Sequence, residues 1–398
     1  MKNSNLKDHR EIGRELDLFS FHEYAPGAVF CHPKGWTIYK TLVEFIRLKT
    51  QEEGYLEIST PVMVKSSLFK KSGHWQHFGE NIFSLKVDDE VYALKPMNCP
   101  ESTLVYKAKT RSYHDLPLRL SDFGILHRNE LSGVLGGLLR VRQFTIDDAH
   151  IFVRPDQIHK EIKKLISLTY QVYKSLDFKP RFYLATRPNK AMGDKKTWNI
   201  AEKGLEQALT DSNVKFDIKP KEGAFYGPKI DIHIYDSQQR DWQLATIQLD
   251  FQIPESMQLT YTDKDGAKKR PVMIHRGIFG SLERFIGILL EHTQGNLPLW
   301  LSPTQAIILP ISEKQAKYAK LVEAQIKSAG IRISVDERSQ TLQAKIRDAT
   351  LEKIPYLIVV GEKEQKAGNI AIRTREGKNL GHLEIAKFIK KLQDEIKS

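Results

Sequence analysis

The chain has 398 residues, 40% hydrophobic and 28% charged, enough for two or three globular domains with real cores. No apolar run reaches the ~18 residues of a membrane span, and the polar N-terminus has no secretory signal pattern. Two cysteines, Cys31 and Cys99, argue against a disulfide framework and for a reducing, cytoplasmic setting. The net charge is +12, and residues 303–398 carry 18 Lys/Arg against 12 Asp/Glu, so half the excess lies in the last quarter. That balance suits an anionic partner without identifying one.

Apolar residues at 38, 42, 45 and 46 predict a helix over 34–50, ended by Gly54. Residues 55–58, 82–87 and 91–94 read as strands, with Asp88-Asp89 as a turn. Leu118-Arg-Leu and Arg140-Val-Arg-Gln-Phe-Thr-Ile read as the two arms of a long-looped antiparallel pair, with Arg140 and Arg142 on the returning strand. An amphipathic helix follows at 156–176. Strands are expected at 181–186, 229–235, 241–251 and 258–262, and a glycine-started helix at Gly277–Leu290. Antiparallel strands with flanking helices predict an α+β catalytic core.

Pro298 and Pro303 bracket a linker. Beyond it the pattern is strand 305–310, helix 313–329, strand 331–335, helix 341–353, strands 356–360 and 369–374, and helix 383–396. This is a smaller α/β domain, so the expected division is 1–300 and 301–398.

Arg128 opens the long loop in His127-Arg-Asn-Glu130, and Arg140, Arg142 and Phe144 lie on its far side. Guanidinium groups clamp phosphates because they are planar, always charged and bidentate, and an aromatic neighbour offers a base a face to stack on. Gly280-Ser-Leu-Glu-Arg284 adds another arginine at an expected helix start, where backbone N–H groups favour anions. In order, Gly54-Tyr-Leu-Glu-Ile-Ser-Thr-Pro61, the Arg128–Phe144 region and Gly280–Arg284 resemble motifs one, two and three of class II aminoacyl-tRNA synthetases. The proline of motif one lies at the dimer interface in that class, which implies a homodimer.

Ser72-Gly-His-Trp75, Lys95-Pro-Met-Asn-Cys-Pro100, Asp147-Asp-Ala-His-Ile-Phe152, Gly223-Ala-Phe-Tyr-Gly-Pro-Lys229 and Ile274-His-Arg276 narrow the resemblance to the threonyl-tRNA synthetase family. The match runs from about Asp8 to the C-terminus. It implies a zinc ion on Cys99, His150 and His275; these are 51 and 125 residues apart, so spacing alone identifies no zinc motif. It also implies ATP with magnesium, threonine and threonine tRNA as partners, and no membrane.

By the same resemblance Arg128 neutralises the α-phosphate, Arg140 and Arg284 hold the outer phosphates, and Glu130 and Phe144 engage adenine. Asp148 and Tyr226 contact the amino acid, and Gln243 and Gln248 lie near ribose or the tRNA 3′ end. His74 moves a proton in the transfer step, and Lys229 joins the catalytic set. Glu364 and Arg373 fall where the family reads anticodon bases. Because the resemblance begins within the first dozen residues, the expected form has no N-terminal editing domain.

The sequence departs from the family pattern at Glu101 and Ser102, where glycine and histidine are usual, and at Leu131, Gly136, Leu244 and Ala245. Ile146 replaces a glutamine near the substrate, and Ser339 and Lys353 replace asparagine and arginine. These departures motivate a second expectation, a paralogue activating a hydroxy amino acid for a non-tRNA acceptor, and a third, a non-catalytic RNA binder.

Overall fold

The computed structural model describes residues 6–397. It divides into two compact units: Phe21–Val29 with Val43–Leu289, and residues 6–20 and Phe30–Leu42 with residues 290–397. Two helices run across the division, Pro33–Glu52 and Leu282–Thr293. The first starts on a proline, whose missing N–H has no helical partner to lose, and stops before Gly54 at φ 77°, a left-handed turn that suits a residue without Cβ.

The first unit is built on a nine-stranded sheet. Its strands are β1 (Leu56–Glu57), β2 (Leu118–Asp122), β3 (Ile125–His127), β4 (Gln143–Val153), β5 (Arg181–Ala185), β6 (Phe216–Lys219), β7 (Lys229–Tyr235), β8 (Asp241–Asp250) and β9 (Val272–Ser281). The order is β6-β5-β7-β8-β9-β4-β2-β1, with β3 on β4. Only β5/β6 and β1/β2 pair in parallel. The antiparallel α+β core expected from the sequence is therefore the observed one.

Alternation along each strand sorts residues onto two faces. On one face Ile151, Ile230, Ile232, Ile247 and Ile274 are fully or almost fully buried. The helix Ile158–Ser175 covers part of it with Ile162, Leu165, Ile166 and Tyr173, which its periodicity placed in register, together with Val172, and the Tyr173 hydroxyl donates to the Ile278 carbonyl at 2.6 Å. A second helix, Lys195–Asp211, packs Trp198, Leu205 and Leu209 beside it. The opposite face carries the polar residues of the site.

Two sequence expectations change here. Residues Gly277–Ser281 are the end of β9, and the helix begins only at Leu282. The glycines mark an irregularity in the β9/β4 pairing between Gly277 and Ser281; Gly280 has φ +67°, and a Cβ there would lie 2.8 Å from the Leu244 carbonyl oxygen. The returning arm of the long loop becomes strand only at Gln143, so Arg140 and Arg142 sit in loop, after a 3-10 turn at Gly137–Leu139. The side chains of that loop turn back on it: Arg140 pairs with Glu130, and the Arg142 guanidinium donates to the Glu130 carbonyl at 2.9 Å.

The second unit contains a five-stranded sheet of β10 (Ala306–Pro310), β11 (Ile333–Val335), β12 (Tyr356–Val360), β13 (Asn369–Thr374) and β14 (Asn379–Glu384), in the order β11-β10-β12-β13-β14. The first three are parallel and the last two antiparallel to their neighbours. Helices Ala316–Ser328 and Ile385–Lys397 pack Val322, Ile326, Phe388 and Leu392 into one core, and Leu342–Leu351 packs Ala349 against Leu309 and Leu357 in another. The expected final helix at 383–396 begins at Ile385, and it is preceded by β14, a strand absent from the sequence expectation. Among the described residues no helix is long and apolar enough to cross a membrane.

Candidate active site

The polar face of the first sheet is set by register. His150 on β4 lies directly opposite His275 on β9, which lies opposite Gln248 on β8, which lies opposite Lys229 on β7. Directly paired residues point to the same face, so four strands bring together residues up to 125 positions apart. Cys99 joins them from the first turn of the helix Cys99–Lys107. One donor atom from each of Cys99, His150 and His275 lies within 4.8 Å of the others, and all three are buried.

Each member of this cluster has a fixed neighbour. The Cys99 thiol lies 3.2 Å from His74 Nε2, and His74 Nδ1 lies 2.9 Å from the Ser72 hydroxyl. His150 Nδ1 lies 2.9 Å from the Ser102 hydroxyl, and His275 Nε2 lies 2.9 Å from an Asp250 carboxylate oxygen. The two imidazoles meet edge to face at 4.9 Å, and the Tyr226 ring stacks on His275 at 4.9 Å. Burial holds His150 well below the ordinary histidine range and pushes the Cys99 thiol up. Burial, followed by the neighbouring histidines, brings His74 down to about 3.

Polar groups that bind an amino acid in the family reading border the cluster. The Asn98 amide donates to Asp148 at 3.2 Å, and the Tyr226 hydroxyl donates to Gln248. Beneath them Lys95 is buried, donating to the Thr60 hydroxyl at 2.7 Å and lying 3.7 Å from Asp122. Glu101 is buried with neither carboxylate oxygen hydrogen-bonded, and burial raises it to about 8.

The cationic end of the site consists of Arg128, Arg140 and Arg284. The Arg128 guanidinium lies over the Phe144 ring at 5.0 Å, and Phe144 packs with Leu126 and Val141. Arg140 donates to a Glu130 carboxylate oxygen at 2.8 and 3.1 Å, and Arg284 donates to the Leu139 carbonyl at 2.9 Å. Burial lowers Arg128 and Arg284; the charge of Arg284 adds to this at Arg128, and that of Arg140 adds to it at Arg284. Arg284 thus repels Arg128, and Arg140 repels Arg284, so an anion placed among these cations would relieve that repulsion.

Further along the sheet, Asp231 bridges two residues singled out from sequence. One oxygen accepts from Lys229 Nζ at 2.7 Å, and the other accepts from the Gln243 amide at 2.6 Å. In the second unit, Glu364 is buried: it caps its own helix through the Gly361 N–H at 2.9 Å and lies 3.4 Å from His382. Arg373 is exposed on β13.

Residues 83–293 match the model of the class II core domain of tRNA synthetases specific for G, H, P, S and T, and residues 305–395 match an anticodon binding domain. A solved chain, the RNA binding domain of threonyl-tRNA synthetase from Cryptosporidium parvum Iowa II, is 42% identical, with a TM-score of 0.95 and 98% of both chains covered. The chain belongs to the threonyl-tRNA synthetase family. It is also 48% identical over 396 residues to a threonine–tRNA ligase of Caldanaerobacter subterraneus subsp. tengcongensis, and 47% identical over 397 residues to one of Carboxydothermus hydrogenoformans. Those alignments cover all of this chain but 62% and 63% of the two relatives, so it spans about three fifths of their length.

Sequence reasoning passed over Ser72, Asn98, Asp231 and Asp250 as functional groups and noted Ser102 only as a departure. Each acts through a partner brought near by folding, and no local pattern announces such a pair.

Proposed function

We propose that this chain activates threonine with ATP and transfers it to the 3′ end of threonine tRNA. The observation that carries the reading is the buried Cys99–His150–His275 donor set beside the Arg128–Arg140–Arg284 anion site, within a chain of this family. One thiol and two imidazoles are a donor set that suits zinc and leaves room for substrate as a further ligand. Cys99, His150 and His275 would hold a zinc ion, which would supply Lewis-acid chemistry toward the amino and hydroxyl groups of threonine.

Valine has the same shape but no hydroxyl, so it leaves polar groups unpaired. Serine lacks only a methyl, worth roughly 1–3 kcal/mol of discrimination. Asp148 and Tyr226 orient the amino group and side chain. Arg128 neutralises the α-phosphate, and Arg140 and Arg284 hold the outer phosphates with the magnesium that class II synthetases use with ATP. Glu130 and Phe144 border the adenine. The threonine carboxylate attacks the α-phosphorus and pyrophosphate leaves, so the reaction needs positioning and charge stabilisation and no covalent enzyme nucleophile.

Gln243 and Gln248 then position ribose or the tRNA terminus. Lys229 offers a cation to developing charge, and His74 moves the proton of the transfer step. In this reading residues 1–300 are catalytic and 301–398 bind the anticodon through Glu364 and Arg373, in a cytoplasmic homodimer. ATP–pyrophosphate exchange with threonine, serine and valine, followed by tRNA charging, tests the reading. The expected order is threonine, then serine, with almost no valine; silence with threonine overturns it.

A further inference from the structure

We propose that Ser102 and Asp250 are positioning residues that fix the tautomers of His150 and His275, so that each imidazole presents an unprotonated nitrogen to a shared metal ion. The inference rests on the zinc reading and adds to it the two groups that make the histidines competent ligands.

The proton count follows from the donors. In this inference the single Ser102 hydroxyl proton goes to the Asn98 carbonyl oxygen, 3.2 Å from Oγ, so toward His150 Nδ1, at 2.9 Å, the oxygen accepts. His150 Nδ1 therefore bears the hydrogen, and Nε2 keeps its lone pair. The nearest carboxylate oxygen to that Nε2, on Asp148, is 3.8 Å away, beyond hydrogen-bond reach.

Asp250 fixes its own carboxylate by accepting the backbone N–H groups of Gln252 and Ile253 on Oδ1, at 2.7 and 3.0 Å. Its Oδ2 lies 2.9 Å from His275 Nε2, which must carry the hydrogen, leaving Nδ1 free to ligate. Ser102 and Asp250 are both 0% exposed, and His150 and His275 are 1% and 6% exposed, so bulk water offers no substitute partner. Outer groups of this kind typically change metal affinity by 10–100-fold when removed.

The two sites fail differently, which makes them testable. Ser102→Ala removes the acceptor and frees the His150 ring. Asp250→Asn keeps the shape, but with Oδ1 held by two N–H donors the amide nitrogen must face His275 Nε2 and donate to it. That forces the proton onto Nδ1, the nitrogen the metal needs.

The experiment measures zinc content of the purified full chain, zinc affinity by competition with a chromophoric chelator, and the visible spectrum of the cobalt-substituted protein. Both variants are expected to bind zinc 10–100-fold more weakly with an altered cobalt spectrum. Leu205→Ala, a buried change in the helix Lys195–Asp211, is expected to lower thermal stability while leaving zinc affinity unchanged, which separates loosened packing from lost orientation. A wild type that holds one equivalent of zinc, with both variants equally tight, overturns this inference and leaves the zinc reading intact. A wild type that holds none overturns the zinc reading and this inference together.

Discussion

Glu283 lies at the start of the helix Leu282–Thr293, buried, with the Thr145 N–H within 3.0 and 3.1 Å of its two oxygens. Burial raises it from 4.5 to about 7, opposed only in part by backbone N–H groups. The unfolded chain releases this proton near pH 4.5 and the folded chain near 7, so between those values the native state holds more protons. Stability is therefore lost as pH rises through that window, and the full penalty remains above it. At 1.36 kcal/mol per pH unit the loss is about 3 kcal/mol. Glu283→Gln keeps an oxygen for the Thr145 N–H and removes the titration. Its melting temperature should match the wild type's dependence only below pH 4.5, and the gap in its favour should grow to about 6–12 °C by pH 8, taking 2–4 °C per kcal/mol. Thermal unfolding of both proteins across pH 4.5–8 measures this directly. A gap that stays constant with pH means the carboxyl is ionised throughout, and the argument from burial is wrong.

Other changes probe different parts of the molecule. In Gly227→Ala a Cβ would lie 1.8 Å from the Leu249 carbonyl oxygen, so β7 and β8 must separate beside Tyr226; we expect a fold loosened by several kcal/mol, or about 3, by analogy with overpacked cores, and wild-type urea stability would refute the clash. Asp231→Ala releases Lys229 and Gln243 together. Charging of tRNA should fall by about 10–100-fold through kcat, as misplaced groups do, with the KM for ATP unchanged; an effect confined to the KM for ATP would assign Asp231 elsewhere. Arg119 grips Glu161 with two hydrogen bonds of 2.7 Å, and the glutamate is buried. Arg119→Ala strands that carboxylate and should cost about 3–5 kcal/mol in urea denaturation, whereas replacing both partners with apolar residues should cost much less; equal losses would show that the charge is not the issue.

The sequence disclosed what repeats locally. The stripe of Ile162, Leu165, Ile166 and Tyr173 predicted the helix Ile158–Ser175 because a 3.6-residue period needs no partner to be visible. The helix Cys99–Lys107 went unread although Pro100 in its first turn is a start signal. Glycine marks both bulges and caps, so Gly277 and Gly280 read from sequence as a helix start, and only the neighbouring Leu244 carbonyl decides between the two. The donor set was reached through resemblance alone. What pairs His150 with His275 is strand register, a property of two segments at once. Asp250 and Ser102 are further removed still, since each acts on a residue that register has first to deliver.

The opposition of His150 and His275 across β4 and β9 also bears on how the chain is checked as it folds. A slip of one residue between these strands turns one imidazole to the hydrophobic face and breaks the donor set, while most backbone hydrogen bonds of the ladder can reform. Cys99 arrives from a helix far earlier in the chain, so the three donors converge only when sheet and helix are both correctly placed. A misregistered molecule would therefore lose the donor set even where it remained compact.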